Sequence, residues 1–453
     1  KGVTLEENNI VRFPDAPTER GLKHVEELAE CMQDGYEAYL LFVIQMKGVR
    51  YFTPNTETHP QFAEALQKTA KEGVKVLAYD CDVTSDAIEL SDAVDVVLGN
   101  PILKESVRPL VEWFRENKRD LPWRKRINAY RVWISEIMLQ QTRVEAVKPY
   151  FQRFIGELPD VQALAECPEE KLMKLWEGLG YYNRVRNMQT AARTVVCEYE
   201  GVLPASYEEL LSLKGIGNYT AGAIASIAYQ IPVPAVDGNV LRVISRITED
   251  RQDIMKQSVR RQIEENLLGI MPEETPGDFN QALMELGAVV CVPNGSARCE
   301  ACPVSEYCLA YRHGTVEELP VKAPKKERIL QNRTVLVIQD GEKTAIQKRP
   351  EKGLLAGLYE LPNLLGHLTR EEVLDKVKNM QLEPLYIEKL PDAKHIFSHI
   401  EWRMTGYLIR VAALDTDRGL PFIFAEKKQS EKQYAIPSAF RAYVKYMKEK
   451  SGK

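Results

Sequence analysis

The 453-residue chain lacks any uninterrupted apolar run that approaches the length needed to cross a lipid bilayer. It also lacks a basic start followed by an apolar segment at its first residues, which argues against a secretory signal. Internal repeats and low-complexity tracts are missing as well. With 44% hydrophobic and 28% charged residues, the composition is that of an ordinary globular protein. We therefore expect a cytoplasmic monomer without a membrane partner.

Length and charge indicate several domains with different partners. A chain of 453 residues is too long for one ordinary core, so two to four domains are expected. Residues 1–100 hold 9 basic against 18 acidic side chains, whereas residues 101–453 hold 51 against 47. Binding of a polyanion is therefore more plausible for the later part of the chain than for the first.

Four of the 8 cysteines are crowded within 18 residues, and the other four are scattered. Cys291, Cys299, Cys302 and Cys308 are separated by gaps of seven, two and five residues. Such crowding in a large chain without a secretory signal favours a metal site over disulfides. Four thiolates suit either tetrahedral zinc or a [4Fe–4S] cluster, and the spacing alone does not decide between them.

Changes in character along the chain predict four segments. Residues 1–100 alternate between β-prone and helical runs, which is typical of a small α/β unit with a partly parallel sheet. Long amphipathic helices are predicted over 104–319, and a proline- and charge-rich stretch at 320–331 has the composition of an exposed linker. A small α+β domain is predicted for 332–453, with a hairpin at Asp340-Gly341.

A glycine-containing turn separates two helix-like segments within residues 209–228. The chain turns through Gly215-Ile216-Gly217, and a helix of small residues follows. Two glycines one residue apart permit a tight hairpin and expose backbone N–H groups that can bind a DNA phosphate. A plain helix–helix turn is the alternative. Asp237, which precedes Gly238, is by itself typical of a helix N-cap.

The turn and an aspartate 22 residues after Gly215 together resemble the helix-hairpin-helix DNA glycosylases, the superfamily of endonuclease III. The resemblance implies an all-helical glycosylase domain in which Asp237 stabilises positive charge on the deoxyribose as the glycosidic bond breaks. Bifunctional members carry a nucleophilic Lys two residues after the second hairpin glycine. Tyr219 stands at that position here, so the resemblance implies a monofunctional enzyme that uses water.

Glu136 lies in the run Val132–Thr142, which is similar to the signature of the MutY family of adenine DNA glycosylases. Leu121-Pro122-Trp123-Arg124 and the run 178–182 match that family too. Adenine is a poor leaving group until a ring nitrogen is protonated, so the site needs a carboxylic acid that keeps its proton. Burial among apolar neighbours would raise the pKa of Glu136 toward that range.

The same resemblance implies further roles along residues 104–319. Tyr219 and Asn239 are expected near the reaction centre, and a [4Fe–4S] cluster is expected on the four cysteines. Leu139, Gln141 and Tyr181 are expected to act as wedges or base contacts once adenine leaves the stack, with Arg184 and Arg186 near the DNA backbone. The remaining residues expected to bind DNA or adenine are Arg124, Thr142, Leu179, Gly215, Gly217 and Gln281.

The last segment resembles the Nudix-like domain of adenine glycosylases in the runs 348–350 and 353–362. Glu371 and Glu372 lie at the wrong distance from these glycines for a magnesium site, so phosphohydrolase activity is not expected. The run 395–399 is similar to the family loop that inspects 8-oxoguanine opposite adenine. Phe397 is expected to stack on that base, while Ser398 and His399 form hydrogen bonds.

Residues 1–98 resemble the C-terminal part of the sugar fermentation stimulation (SfsA) family, notably in the runs 13–21 and 40–45. Lys1 corresponds to the Lys of that family's Glu-x-Lys strand, so the preceding carboxylates are missing and nuclease function is not expected. The whole chain is thus predicted to be a partial SfsA-like α/β domain, an all-α glycosylase domain with an iron–sulfur loop and a Nudix-like α+β domain.

The expected function is removal of adenine mispaired with 8-oxoguanine or guanine in double-stranded DNA. One alternative is a bifunctional endonuclease III-like glycosylase/lyase, which Tyr219 and Glu136 disfavour. A second is a non-catalytic mismatch-binding protein, which would bind a mispaired duplex without turnover. A regulator of sugar metabolism acting through residues 1–98 is the weakest alternative because the SfsA motif is truncated.

Overall fold

The structure is a computed structural model that describes residues 1–323, 327–413 and 422–447. The chain forms two compact units, of which the first comprises residues 1–120, 205–207 and 217–323. The second comprises residues 121–204, 208–216 and 324–453. The predicted linker 320–331 and C-terminal domain 332–453 each lie in part outside the described residues. Among the described residues, no helix combines the length and the apolar character that a membrane span requires.

Seventeen α-helices lie in the described residues. In chain order they are α1 (Glu19–Gln33), α2 (Pro60–Lys71), α3 (Pro101–Asn117), α4 (Ala129–Leu139), α5 (Val144–Glu157), α6 (Val161–Glu166), α7 (Glu169–Leu175), α8 (Asn183–Glu198), α9 (Tyr207–Ser212), α10 (Asn218–Tyr229), α11 (Gly238–Ile247), α12 (Gln257–Leu268), α13 (Pro276–Val289), α14 (Leu309–Arg312), α15 (Arg370–Asn379), α16 (Lys427–Gln433) and α17 (Arg441–Val444). Short 3-10 helices cover Pro122–Arg124, Cys299–Ala301, Ser305–Tyr307, Val316–Glu318 and Ser438–Phe440.

Fifteen β-strands lie in the same described residues. They are β1 (Gly2–Val3), β2 (Leu5–Glu7), β3 (Ile10–Phe13), β4 (Tyr39–Ile44), β5 (Tyr51–Pro54), β6 (Lys75–Val83), β7 (Ile88–Ala93), β8 (Asp95–Val96), β9 (Ile329–Asp340), β10 (Lys343–Lys348), β11 (Tyr359–Glu360), β12 (Asn363–Leu365), β13 (Pro384–Ile396), β14 (Ile400–Val411) and β15 (Ile423–Glu426).

Residues 1–100 form the small α/β unit that their alternating pattern predicts. One sheet has the order β1-β4-β6-β7, with β1, β4 and β6 parallel and β7 antiparallel at the edge. A second sheet has the order β2-β3-β5-β8. The β-prone runs that include β4 and β6 are buried on one side, where Phe42, Phe52 and Phe62 form the centre of a core.

The helices of the first unit pack closely because small residues and prolines lie where elements meet. A Cβ on Gly222 of α10 would lie 2.3 Å from the Pro234 carbonyl oxygen, so only glycine fits at that contact. Pro276 stands in the first turn of α13, where no helical N–H bond is lost. The apolar faces of α3, α11, α12 and α13 then form one core around Leu241 and Leu283.

The second unit combines the helices α4 to α8 with a mixed sheet. In that sheet the strands follow the order β11-β10-β9-β14-β13, with β14 parallel to β9 and antiparallel to β13. The predicted hairpin is confirmed, since β9 and β10 pair antiparallel across Asp340 and Gly341. Glu372 forms a capping box with Thr369 at the start of α15, so this acid stabilises a helix end.

The exposed linker predicted over 320–331 is shorter than expected. At its end, β9 already begins at Ile329 and pairs with β14. At its start, Val321 packs on the core of the first unit, and its carbonyl accepts a bond from the Ile254 N–H at 3.2 Å. The linker boundaries stay predictions, and the structure adds strand pairing at one end and a core contact at the other, both with residues far away in the chain.

Candidate active site and DNA-contacting loops

Asp237 caps helix α11 and is held by three hydrogen bonds. Its Oδ1 accepts bonds from the backbone N–H groups of Asn239 and Val240, both at 2.8 Å. Its Oδ2 accepts a bond from the Asn239 side-chain amide at 2.7 Å. Burial raises the pKa of Asp237, while these bonds and the charge of Arg242 act in the opposite direction. The carboxylate is therefore fixed in one orientation in a poorly hydrated place, where its charge acts strongly.

A chain of hydrogen bonds connects Asp237 to the cysteine-rich segment through Asn239 and Arg242. Arg242 donates to the Asn239 side-chain oxygen at 2.9 Å, to the Gly287 carbonyl at 2.7 Å and to the Cys291 carbonyl at 2.8 Å. A Cβ on Gly287 would lie 2.6 Å from the Cβ of Asn239, so α13 approaches α11 only because glycine stands there. The orientation of Asp237 thus depends on residues of the cysteine-rich segment.

The loop before Asp237 is held by Asn280, which sequence reasoning missed. The buried Asn280 amide donates to the Ser226 hydroxyl at 2.8 Å and to the Val233 carbonyl at 2.9 Å. Its oxygen accepts a bond from the Ala235 N–H at 3.0 Å. A polar residue on an otherwise buried helix face was the available signal, since such a residue needs partners.

Tyr219 and Gln281 lie on two helices of the first unit that pack together, α10 and α13. The Tyr219 hydroxyl lies 3.8 Å from the sulfur of Met284. Gln281 is buried, and its amide bonds to the Gly277 carbonyl one turn earlier at 3.3 Å. The first unit therefore contains Asp237, Asn239, Tyr219 and Gln281, four of the residues predicted to surround the reacting adenine.

The start of helix α10 offers backbone N–H groups without a side-chain cap. Gly217 occupies the N-cap position and has no side chain to accept a bond from the first turn. Gly215 has a φ of +81°, which only glycine adopts without strain, and a Cβ there would lie 2.7 Å from the Cβ of Asn187. Gly215 is thus required by local geometry, whereas Gly217 has an extended backbone and open space at its Cβ position. The helix start remains open for an anion.

Glu136 lies in the second unit on α4, a helix that is buried along most of its length. The side chains of Trp133, Ile137 and Met138 are buried, and Glu136 itself is only 6% exposed. Arg124 precedes α4 in the chain, lies at the end of a 3-10 helix and is half buried. The Glu136 side chain is therefore largely removed from solvent.

Two exposed loops of the second unit carry residues predicted to enter the DNA stack. After α4, Gln141 adopts a left-handed φ of +58°, and the Thr142 N–H bonds back to Leu139 at 3.2 Å. After α7, Tyr181 adopts a φ of +49° and is 48% exposed. Non-glycine residues in this conformation are strained and concentrate at functional sites.

Arg184 joins these two loops. Its guanidinium donates to the carbonyls of Ile137 and Gln140 at 2.6 and 2.7 Å, and to those of Leu179 and Gly180 at 3.0 and 3.1 Å. Burial lowers the pKa of Arg184 to about 10. The place of Arg184 near the DNA backbone stays a prediction, and the structure adds that its guanidinium holds protein carbonyls. Leu179, also predicted to contact DNA, has a buried side chain.

A cavity of about 720 Å³ in the second unit is lined by the Tyr181 loop and by the C-terminal α+β part. Its walls include Tyr181 and Leu179 on one side and Phe397, Ser398 and His399 on the other. The ring of Phe397 lies 4.9 Å from that of Trp402, edge to face. The structure therefore brings two groups of predicted DNA contacts, more than 200 residues apart in the chain, to one cavity.

The four clustered cysteines line another cavity, which lies wholly in the first unit. The Arg246 guanidinium donates to the sulfur of Cys291 at 3.2 Å, and the Cys308 thiol donates to the Arg246 carbonyl at 3.4 Å. Within the described residues, no three Cys, His, Asp or Glu side chains are placed to hold a single metal ion. Four thiols around a common space suit a cluster that is larger than one ion.

Three family models match separate parts of the chain. Residues 1–87 match the sugar fermentation stimulation protein RE domain, residues 134–267 match the HhH-GPD superfamily of base excision DNA repair proteins, and residues 334–446 match the NUDIX domain. The adenine DNA glycosylase of Rattus norvegicus is 33% identical over 402 residues, which is 75% of this chain and 78% of the relative. The chain belongs to the adenine DNA glycosylase family.

Other adenine DNA glycosylases agree with this membership. The protein of Buchnera aphidicola (Schizaphis graminum) is 32% identical over 67% of this chain and 87% of its own length. The Arabidopsis thaliana protein is 38% identical over 67% of this chain, which spans 56% of that relative. A solved thermostable thymine-DNA glycosylase is 27% identical, covers 47% of this chain and 97% of its own, and has a TM-score of 0.43.

Family membership confirms the predicted base-excision DNA glycosylase and its three kinds of domain: partial SfsA-like, helix-hairpin-helix and Nudix-like. The domain boundaries and the roles of individual site residues stay predictions. Among those residues the structure groups Tyr181 with the loop 397–399, and Asp237 with Asn239. Glu136 belongs to the second unit of the chain and Asp237 to the first.

Replacing Arg184 by Lys tests whether its guanidinium positions the two loops. A Lys ammonium retains the charge but cannot reach four carbonyls in the same plane, so we expect turnover on a mispaired duplex to fall by about 10-fold or more. Single-turnover kinetics measures this loss. Arg193→Lys is the matched control, since Arg193 lies on the same helix and bonds one carbonyl, that of Ala165. Equal kinetics for the Arg184 variant and the wild type would exclude the positioning role.

Proposed function

We propose that this chain hydrolyses the glycosidic bond of adenine paired with 8-oxoguanine or guanine in double-stranded DNA, without cutting the strand. Two features of this member of the adenine DNA glycosylase family carry the proposal. Glu136 is buried, and Tyr219 stands at the position where a lyase has its lysine. Such a site contains an acid for the base and no amine for the sugar.

In the proposed reaction Glu136 is the general acid. It gives its proton to a ring nitrogen of adenine, and the bond between the base and the sugar then breaks with its electron pair leaving on adenine. Water supplies the new oxygen at the sugar carbon and loses a proton. The burial of Glu136 supports this role, because a carboxyl group that has lost its hydration holds its proton more tightly.

Asp237 stabilises the sugar as positive charge develops during the same step. Its fixed and poorly hydrated carboxylate needs no reorganisation when the charge appears, which is the arrangement that electrostatic stabilisation requires. Asn239 orients it, and Tyr219 lies on the neighbouring helix α10. Division of labour between two carboxyl groups in different surroundings follows the logic of glycoside hydrolysis.

The cavity shared by Tyr181 and the loop 397–399 is the proposed place for inspection of the base opposite adenine. Phe397 offers an aromatic face there, while Ser398 and His399 offer hydrogen-bonding groups. Stacking tolerates any base, whereas directed hydrogen bonds distinguish the oxidised edge of guanine. Gly215, Gly217 and the uncapped start of α10 are proposed to bind a DNA phosphate. The monomeric state and the cytoplasmic location stay predictions.

We further propose that Cys291, Cys299, Cys302 and Cys308 hold a [4Fe–4S] cluster. Their common cavity and the neighbouring Arg246 suit a group carried on four thiolates. The cluster would supply a structural bridge, since four cysteine ligands leave no open position for chemistry. Through Arg242 the same segment contributes to the orientation of Asp237.

The duplex assay tests the reaction. With an 8-oxoguanine:adenine duplex, the purified protein is expected to release adenine and to leave an abasic strand that breaks only after alkali, because Tyr219 cannot form the Schiff base of a lyase. Product strands are resolved on a denaturing gel with and without alkali. Cleavage before alkali would favour the bifunctional lyase, and tight binding without release of adenine would favour the mismatch-binding alternative.

The variant Glu136→Gln tests the acid. Glutamine has nearly the same shape but no acidic proton, so we expect release of adenine to fall by about 10²-fold or more while binding of the mispaired duplex persists. Single-turnover kinetics and gel-shift titration measure the two effects. Glu145→Gln, an exposed change on α5, is the matched control. Turnover like that of the wild type in the Glu136 variant would remove this residue from the mechanism.

The variant Cys302→Ser tests the cluster. We expect the wild-type protein to be brown with broad visible absorbance and the variant to lose that absorbance, because serine is a poor ligand for iron. Cys197→Ser, at an exposed and isolated cysteine, is the control and should keep the colour. Metal analysis completes the measurement. A colourless wild-type protein that contains zinc would contradict the iron–sulfur assignment.

A further inference from the structure

Residues 1–99, called the front segment below, share a core with the glycosylase helices. Tyr51 and Val97 of the front segment are buried in the same apolar cluster as Leu103 and Leu110 of α3 and Ile270 after α12. The rest of the front segment has its own core around Phe42. A domain that hangs from a flexible linker would not place aromatic and aliphatic side chains in its neighbour's core.

Two glycines allow the backbones to touch at this contact. A Cβ on Gly99 would lie 2.7 Å from the Asn266 carbonyl oxygen and 3.0 Å from the Ile270 side chain. In the reverse direction, a Cβ on Gly269 would lie 2.9 Å from the Gly99 nitrogen. Each glycine therefore makes room for the other segment, and a side chain at either place would force the two apart.

Charged side chains add to the contact. Arg50 forms an ion pair with Glu105 of α3, and Lys71 forms one with Glu265 of α12 at 3.4 Å. Tyr307, next to Cys308, lies within electrostatic range of both Arg50 and Glu105. Burial, followed by the negative charge of Glu105, raises the pKa of Tyr51 to about 12. The contact thus extends from α12 to the turn Ser305–Tyr307 of the cysteine-rich segment.

We propose that the front segment is a permanent structural support of the glycosylase helices, called the brace below. It covers the face formed by α3, α12 and the turn 305–307. This contact stabilises the part of the protein that carries the four cysteines. The front segment's 18 acidic against 9 basic residues make it an unsuitable surface for DNA. A stabilising partner within the same chain is the role that its buried contacts support. The inference is independent of the proposed base specificity.

The paired variants Gly99→Ala and Gly156→Ala in the full-length protein test this brace. The first introduces a methyl group against the Asn266 carbonyl, whereas the second introduces it into open space on α5. We expect faster amide hydrogen exchange in α12 for Gly99→Ala and an unfolding midpoint lowered by about 2–4 °C. Gly156→Ala should leave exchange in α12 unchanged and should not lower the midpoint, because alanine is favoured over glycine within a helix. Unchanged exchange in α12 and an unchanged midpoint for Gly99→Ala would overturn the proposal.

Charge reversal provides a second series, which remains decisive if Gly99→Ala does not fold. Arg50→Glu or Glu105→Arg alone should increase exchange in α12, and the double variant should restore protection. Arg108→Glu is the control, because its partner Glu112 lies on the same helix in an exposed pair. Equal exchange in all of these variants and the wild type would show that the front segment does not stabilise the glycosylase helices. Release of adenine at 25 °C, measured in parallel, separates this outcome from failure of the proposed function.

Discussion

The orientation of one buried carboxylate, that of Asp237, depends on hydrogen bonds that extend from α11 to α13 and to the cysteine-rich segment. The carboxylate accepts hydrogen bonds from backbone N–H groups at the start of α11 and from the Asn239 side-chain amide. The Asn239 side-chain oxygen in turn accepts a bond from Arg242. Arg242 in turn holds backbone carbonyls on α13 and at Cys291. Because an unsatisfied buried charge is costly, these bonds must form together. The helix cap, the close approach of α13 to α11 at Gly287 and the cysteine-rich segment are therefore connected to the Asp237 carboxylate by one set of hydrogen bonds.

The second unit holds two exposed loops in a strained backbone conformation, and these are the loops predicted to contact DNA. Gln141 and Tyr181 have left-handed backbones, a conformation that persists only where the surroundings enforce it. Arg184 provides that enforcement through carbonyls on both loops. The loops can therefore remain exposed for binding while their supports are buried. The cavity next to Tyr181 is also lined by the loop 397–399, so it brings together two groups of residues predicted to contact the bases.

The front segment matches a different family from the glycosylase helices but shares a core with them. Residues 1–87 match the sugar fermentation stimulation protein RE domain, whereas residues 134–267 match the base excision DNA repair model. Tyr51 and Val97 are nevertheless buried in the same apolar cluster as the core residues of the glycosylase helices. A covalent junction at Gly99 places the two parts at high effective concentration, so even a modest interface remains closed. Evolutionary origin and physical role therefore need not coincide in this chain.

Local patterns along the chain were enough for the helices, the hairpin at Asp340-Gly341 and the family, because helical periodicity, turn chemistry and cap residues act over a few positions. They also indicated Asp237 as a cap and placed Glu136 on an apolar helix. Only the folded structure revealed the roles of Arg184 and Asn280, whose hydrogen-bond partners lie up to 54 residues away in the chain. Such roles escape a reading of the chain because a buried polar group takes its meaning from partners that only packing brings near.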